Sequence, residues 1–193
     1  MIPNIYTVNK KGKRTQDVFS YEFENNRKIN LIDEITSQVS TEIISQLEYL
    51  DSICKKNIYL YINCPGGNVP DGLAIIDAIE RCQSNVITVC TGIAASMAAV
   101  IFSFGTKRYI TPYAELMIHQ PLGSIAGQAA DVELMARHIN SKKELLNTLL
   151  AEKTGQSIET IYRDTDRDFY LDAEAAIEYG LADAVLTSNL LLT

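Results

Sequence analysis

The sequence predicts an α/β domain built of successive βα units, and three observations carry that prediction. Two runs of β-branched, aromatic and aliphatic residues, 57–62 and 86–91, are continuous in the way that strands buried on both faces are. Each is followed by glycine and then by a stretch whose apolar residues permit a helix. The segment from 57 to 91, read as strand, glycine turn, helix and strand, also has the length that a parallel crossover needs. At 193 residues the chain can bury one substantial core and is short for two, so a single domain over 1–193 is expected.

Residues 1–16 are polar, and Lys10-Lys-Gly-Lys-Arg14 forms a solvated turn or hairpin tip. A short helix is expected at 17–25, anchored by Val18, Phe19 and Phe23, followed by an alternating strand at 28–32. Ile43, Ile44, Leu47 and Leu50 recur at helical spacing and predict a helix over 37–50. The strand at 57–62 stops at Asn63-Cys64-Pro65-Gly66-Gly67, where proline and two glycines open backbone conformations closed to other residues. Leu73, Ile76 and Ile79 mark one face of a helix over 69–82. After the strand at 86–91, Gly92 is expected to break the extended run, and the small residues from Ala94 onward to begin a buried helix that places Ser96 at its start. Arg108-Tyr-Ile110, a turn at Thr111-Pro112, a strand at 116–119, a flexible connector at 123–127 and a long helix over about 130–153 follow. That helix would be about 35 Å long and would project beyond its own core, which invites a partner. Val132, Met135, Ile139, Leu146 and Leu149 form its apolar stripe. Phe169-Tyr-Leu171 reads as an apolar turn, with short helices at 157–163 and 173–179, the second stopped by Gly180.

Composition narrows the function classes. A net charge of −7 leaves no basic stripe to meet phosphates, which argues against nucleic acid as a partner. No apolar run is long enough to span a bilayer, so no membrane association is expected. Cys54, Cys64, Cys82 and Cys90 show neither CxxC nor zinc spacing, so no metal is expected. Cys82 and Cys90 lie in apolar surroundings and read as buried thiols. With no basic-apolar leader at the start, a reducing cytoplasm is the expected location. The GxxxxGK[ST] phosphate loop is missing, so the chain does not hydrolyse ATP by that route.

A serine between a strand and a helix meets unpaired backbone N–H groups and the positive end of a dipole, which favours a developing anion. The plainer reading of Ser96 is a helix cap. Of the two histidines, His119 ends an apolar strand where it can face a cleft, whereas His138 lies in the polar-faced long helix and reads as a surface residue. Acyl transfer would need His119 bonded both to the serine and to a carboxylate, and Asp164, Asp166 and Asp168 are equal candidates on composition. Gly67 and Met97 each offer a backbone N–H where a parallel strand ends, the place where open α/β sheets bind ligands.

Four motifs, Asn63-Cys64-Pro65-Gly66-Gly67, Gly92-Ile-Ala-Ala-Ser96-Met97-Ala98, Met117-Ile-His119-Gln120-Pro121 and Asp164-Thr-Asp166-Arg167-Asp168, together resemble the proteolytic-subunit family of Clp proteases. The resemblance extends from Ile2-Pro3 to Glu178-Tyr-Gly180-Leu-Ala-Asp183, nearly the whole chain. It implies the ClpP/crotonase-like α/β fold of repeated ββα/βα units, with the long helix as a protruding handle over about 120–153 and residues 1–16 as a flexible axial segment. It implies a self-compartmentalising serine endopeptidase in which Ser96 is the nucleophile, His119 the base and then acid, and Asp168 the orienting carboxylate. Gly67 and Met97 would form the oxyanion hole, and Gln120, Pro121, Leu122 and Gly123 the strand that pairs with an extended substrate. Seven subunits would form a ring and two rings would stack, with Arg167 at the ring-to-ring contact. No cofactor is implied, because ATP would be used only by a separate AAA+ unfoldase such as ClpX, ClpA or ClpC. The chain also begins close to the family's mature N-terminus, so no long propeptide is expected.

Several positions depart from the family pattern. Cys64 stands for a serine, Ala98 for a glycine, Ser124 for a glycine before the handle and Asp33 for a glycine after the first strand. Arg81 stands where an aromatic residue usually completes, with Tyr59 and Tyr61, the pocket that docks the ATPase, and a guanidinium suits an apolar loop poorly. Two other readings remain at this level. A crotonase-like acyl-CoA hydratase or isomerase would also use two backbone N–H groups but would not need Ser96, His119 and Asp168. A non-catalytic or weakly active ring subunit would scaffold an active paralogue.

Overall fold

The computed structural model describes residues 2–9 and 12–187. β1 (Asn4–Asn9) and β2 (Gly12–Asp17) pair antiparallel as a hairpin of their own, so a two-stranded ribbon runs on either side of the turn or hairpin tip expected at 10–14. Lys10 and Lys11 of the basic tip lie outside the described residues. Asp17 then caps α1 (Val18–Asn26) by accepting from the Ser20 N–H. α1 buries no residue fully, and Phe19 is half exposed, so Val18 and Phe19 do not anchor it as expected; Phe23 instead stacks on Tyr49 at 5.8 Å.

The remaining strands build one seven-stranded sheet. β3 (Lys28–Leu31), β4 (Ile58–Cys64), β5 (Val86–Ala95), β6 (Lys107–Ile110) and β9 (Ala184–Val185) run parallel in that order. β4 and β5 alternate or run fully buried, which explains why they are the most legible strands. α2 (Ser37–Ile53) and α3 (Val69–Arg81) connect the first three strands. Ile43, Leu47 and Leu50 from the former, and Ile75, Ile76 and Ile79 from the latter, join one core with Ile29, Leu60 and Cys90 of the sheet. Arg27, in the left-handed conformation at φ 52°, is buried without a carboxylate. Its guanidinium instead donates to the carbonyls of Leu50, Cys54, Lys56 and Asn57, closing the otherwise unpaired C-terminal end of α2.

β5 is where the sequence reading errs in a useful way. Gly92 does not break the strand. It takes φ 120°, and the Asn63 side-chain oxygen accepts from the Ile93 N–H at 3.1 Å. A Cβ on Gly92 would sit 2.6 Å from that oxygen. The strand continues to Ala95 but exchanges neighbours, leaving β6 after Cys90 and pairing parallel with β7 (Glu115–Ile118) from Ile93 onward. Ala94 and Ala95 are therefore extended, and the buried helix α4 (Met97–Ser103) starts later than expected.

α5 (Ala129–Thr154) is 26 residues long, about 39 Å at the helical rise. Only Leu146, Asn147 and Leu150 of it are buried, whereas Val132, Leu134 and Met135 are exposed on its first half. α6 (Ile158–Asp164) follows, capped by Ser157. Phe169–Leu171 is not a turn but a strand, β8, antiparallel to β7 with Phe169 opposite Ile118. α7 (Ala173–Tyr179) ends in Gly180, whose φ of 87° provides the left-handed cap. The four cysteines are free, and Cys64 rather than Cys82 joins Cys90 in full burial. Burial pushes the Cys90 thiol up to about 12. Among the described residues no helix is long and apolar enough to cross a membrane.

Candidate active site

Ser96 lies at the junction of β5 and α4 with φ 56° and ψ −125°, a conformation a non-glycine residue holds only under constraint. The constraint is visible. The Ser96 N–H donates to the Met117 carbonyl at 2.8 Å, its carbonyl accepts from Ala99 and Val100, and Gly66 presses against it from the other side. A Cβ on Gly66 would meet the Ala95 oxygen at 2.7 Å and the Ser96 Cβ at 2.8 Å, so the turn before α3 has to be glycine there. The sharp turn also carries the hydroxyl away from the helix it precedes. Ser96 makes no capping bond, which removes the plain reading of it as a helix cap.

Instead the Ser96 hydroxyl lies 2.8 Å from His119 Nε2, and His119 Nδ1 lies 3.0 Å from Asp168 Oδ1. A carboxylate can only accept, so Nδ1 carries the ring proton and the Nε2 lone pair faces the serine hydroxyl. The three side chains converge because of β8. His119 directly follows β7 and Asp168 directly precedes β8, and the Ile118–Phe169 pairing places those two positions across from one another. The turn expected at 169–171 would not have done this.

The structure also separates the three aspartates that composition left equal. Asp164 is engaged by Arg163 and by the Tyr179 hydroxyl. Asp166 turns to Gln120, whose side-chain nitrogen donates to the Asp166 carbonyl at 2.8 Å, while Arg167 Nε lies 3.9 Å from its carboxylate. Only Asp168 reaches the histidine.

Two N–H groups beside the serine are unspent. Gly67 bridges to Ile35, yet the bonds of that contact run from the Ile35 N–H to the Gly66 carbonyl and from the Asn68 N–H to the Ile35 carbonyl. That leaves the Gly67 N–H free among the described residues. Gly67 has φ 147° and no room for a Cβ, which would lie 2.5 Å from the Ile35 oxygen. Met97 opens α4, so its N–H has no acceptor within the helix either. Cys64 braces this loop from beneath: its thiol donates to the Asp33 carbonyl at 3.0 Å, and its sulfur accepts from the Gly66 N–H at 3.4 Å. Burial raises the Cys64 thiol above its ordinary value, which keeps it a neutral hydrogen-bonding group.

An open cleft of about 460 Å³ lies over the serine, between the Gly67 loop, Met117 and Leu122 on one side and Ile139 of α5 on the other. A narrow apolar slot under Ser96, walled by Met97, Val100, Leu146 and Leu150, holds only about 10 Å³. Pro121 and Leu122 line the cleft and Gln120 lines the neighbouring hollow beside Asp168, but Gln120, Pro121, Leu122 and Gly123 belong to no strand; Gln120 gives its N–H to the Thr165 carbonyl and Pro121 has none to give. His138, read as a surface residue, is exposed yet lines the same cleft; only the packing of α5 against α4 and α6 could have revealed that. Arg167 is almost wholly exposed. Tyr59 and Tyr61 are half-buried, with the Lys28 ammonium 4.5 Å above the Tyr61 ring, and Arg81 is exposed and paired with Glu48 at 3.3 Å. Among the described residues no three His, Cys, Asp or Glu side chains gather as a metal site.

The glycine loop, the strained serine and the paired histidine all lie within a stretch that a family model also recognises as a unit. That model, for Clp protease, matches residues 10–189, so the chain belongs to the Clp protease family.

Proposed function

We propose that the chain is a serine endopeptidase that cleaves peptides and unfolded proteins through an acyl-enzyme, with Ser96 as nucleophile, His119 as base and acid, and Asp168 as the orienting group. The observation that carries this reading is the hydrogen-bonded chain from the Ser96 hydroxyl through both ring nitrogens of His119 to Asp168. His119 Nε2 takes the hydroxyl proton as Ser96 Oγ attacks the scissile carbonyl carbon, and Asp168 stabilises the imidazolium that results. The Gly67 and Met97 N–H groups, fixed beforehand and without other acceptors, hold the oxyanion. The imidazolium then gives its proton to the leaving amine, and the ester is hydrolysed by water activated at the same nitrogen. No cofactor enters these steps.

The same reading makes the assembly two stacked heptameric rings joined through α5, with Arg167 at the contact and a separate AAA+ unfoldase supplying long substrates. It places the protein in the cytoplasm. Purified protein should hydrolyse short fluorogenic peptides without ATP and react at Ser96 with a fluorophosphonate. Ser96→Ala should lower hydrolysis by at least about 10⁴-fold, since triad members act as a unit. Hydrolysis that survives the substitution overturns the assignment. Turnover of a CoA thioester in place of peptides would favour the hydratase reading, and an unreactive Ser96 in assembled rings the scaffolding one.

A further inference from the structure

Resting on that reading, we infer that Cys64 is a positioning residue for the reaction: its thiol holds the Gly66–Gly67 turn so that the Gly67 N–H is aimed at the oxyanion before substrate arrives. The two glycines stand at φ 99° and 147° and carry no side chains to restrict them. A donor on such a turn is fixed only if bonds from outside hold the backbone. An oxyanion donor draws its effect from being fixed in advance.

Both sides of Gly66 are held. The Gly67 N–H belongs to the same planar peptide group as the Gly66 carbonyl, so whatever fixes that carbonyl also fixes the direction of the N–H. The carbonyl accepts from the Ile35 N–H at 2.8 Å. On the other side, the Gly66 N–H donates to the Cys64 Sγ at 3.4 Å, and the thiol donates onward to the Asp33 carbonyl at 3.0 Å. Asp33 and Ile35 lie two residues apart in the segment between β3 and α2, so the thiol and the peptide are fastened to one support. Asn68 completes the arrangement: its N–H donates to the Ile35 carbonyl at 2.8 Å, and its side chain caps α3.

Removing the sulfur takes away the acceptor that the Gly66 N–H has among the described residues. The Ile35 bond to the carbonyl remains, so the turn is then restrained from one side only. Cys64 is fully buried at the end of β4, where water does not replace an unmade bond. A hydroxyl can accept and donate in the same two directions. Alanine can do neither, and valine fills the space without making either bond.

The test uses the purified full chain, a fluorogenic peptide amide and a peptide boronic acid, whose tetrahedral adduct with Ser96 puts an oxygen where the oxyanion forms. Cys64→Ala and Cys64→Val should each lower kcat by about tenfold with KM within about twofold of wild type; outright loss of a donor costs about 10²–10³. Affinity for the boronic acid should fall by about the same factor as kcat/KM, because both report contacts made to the transition state. Cys64→Ser should bring kcat back to within about threefold of wild type. Cys90→Ala removes an equally buried thiol from the adjacent strand and serves as the control for stability. Its kcat should stay within about twofold of wild type, whatever its thermal midpoint. The inference is overturned if Cys64→Ala and Cys64→Val keep wild-type kcat, if the loss lies in KM alone, if Cys64→Ser is no better than Cys64→Ala, or if Cys90→Ala loses as much. Each of those results leaves the triad assignment intact. If the wild type shows no Ser96-dependent cleavage and Ser96 resists the fluorophosphonate, the proposed function itself falls, and this inference with it.

Discussion

At Gly67 one hydrogen atom in place of a methyl group decides whether the loop beside Ser96 can take its shape. Its N–H is free among the described residues because the parallel bridge to Ile35 uses the Gly66 carbonyl and the Asn68 N–H instead, and at its φ of 147° a would-be Cβ would lie 2.5 Å from the Ile35 oxygen. Alanine here must shift the loop against the neighbouring backbone, at a cost of about 1–3 kcal/mol, and in the proposed mechanism the oxyanion then loses one donor. Gly67→Ala is therefore expected to lower kcat/KM by about 100-fold while Ser96 keeps its hydrogen bond to His119. Peptide hydrolysis, read alongside urea unfolding, separates the two effects. A fully active Gly67→Ala enzyme would refute the assignment of that N–H to the oxyanion. At the same scale, Ser96 illustrates why residue type is a weak guide: a serine at a strand–helix junction is usually a cap, and only the φ of 56° diverts the hydroxyl to His119.

The elements around the site are tied to the sheet by a few charged groups, and these set its response to acid. Arg108, at the start of β6, donates to Asp183 and to the carbonyls of Lys153 and Gly180, linking β6 to the ends of α5 and α7. Burial alone would raise the Asp183 carboxyl, but the bonds from the Arg108 side chain and backbone outweigh it and hold the group below its ordinary 3.8. A depressed folded-state value stabilises the fold at every pH above the unfolded value. That stabilisation drains away as pH falls from about 4 through the lowered native one. Asp183→Asn should thus lower the thermal midpoint at pH 7, with the gap to wild type closing as both are titrated towards pH 2. A gap that stays constant would assign the loss to geometry and not to charge. The element scale also accounts for the histidine: β7 and β8 are short, yet their register alone brings His119 opposite Asp168.

For the whole molecule, the informative surfaces are those its own core does not use. The first half of α5 exposes Val132, Leu134 and Met135, an apolar edge suited to the ring-to-ring contact proposed for it. At the end of α3 away from the glycine loop, Arg81 is 62 % exposed, and its one ion pair among the described residues is with an equally exposed Glu48. Such a pair contributes little to stability, so Arg81 is free to vary with the partner it meets. If the surface beside Tyr59 and Tyr61 receives an apolar loop of an AAA+ unfoldase, Arg81→Phe should tighten that complex by about tenfold without altering hydrolysis of short peptides. Binding measured by biolayer interferometry, and unfoldase-dependent degradation of a folded substrate, would report it; equal affinity for both forms would remove Arg81 from the docking surface.

The order of elements was legible in the sequence because local rules settle it. The β-branched runs at 57–62 and 86–91, the helical spacing of Ile43, Leu47 and Leu50, and the Pro-Gly-Gly stop each depend on neighbours within a few residues. So were the residue types that acyl transfer requires. What only the tertiary structure decided is which of them meet. Gly92 continues β5 because Asn63, from the adjacent strand, accepts a bond beside it. Phe169–Leu171 is a strand because β7 has an open edge for it, and that pairing selects Asp168 over Asp164 and Asp166. His138 and Lys142 line the same cleft as Ser96 because α5 borders it. These are contacts between residues far apart in the chain, and no local pattern encodes them.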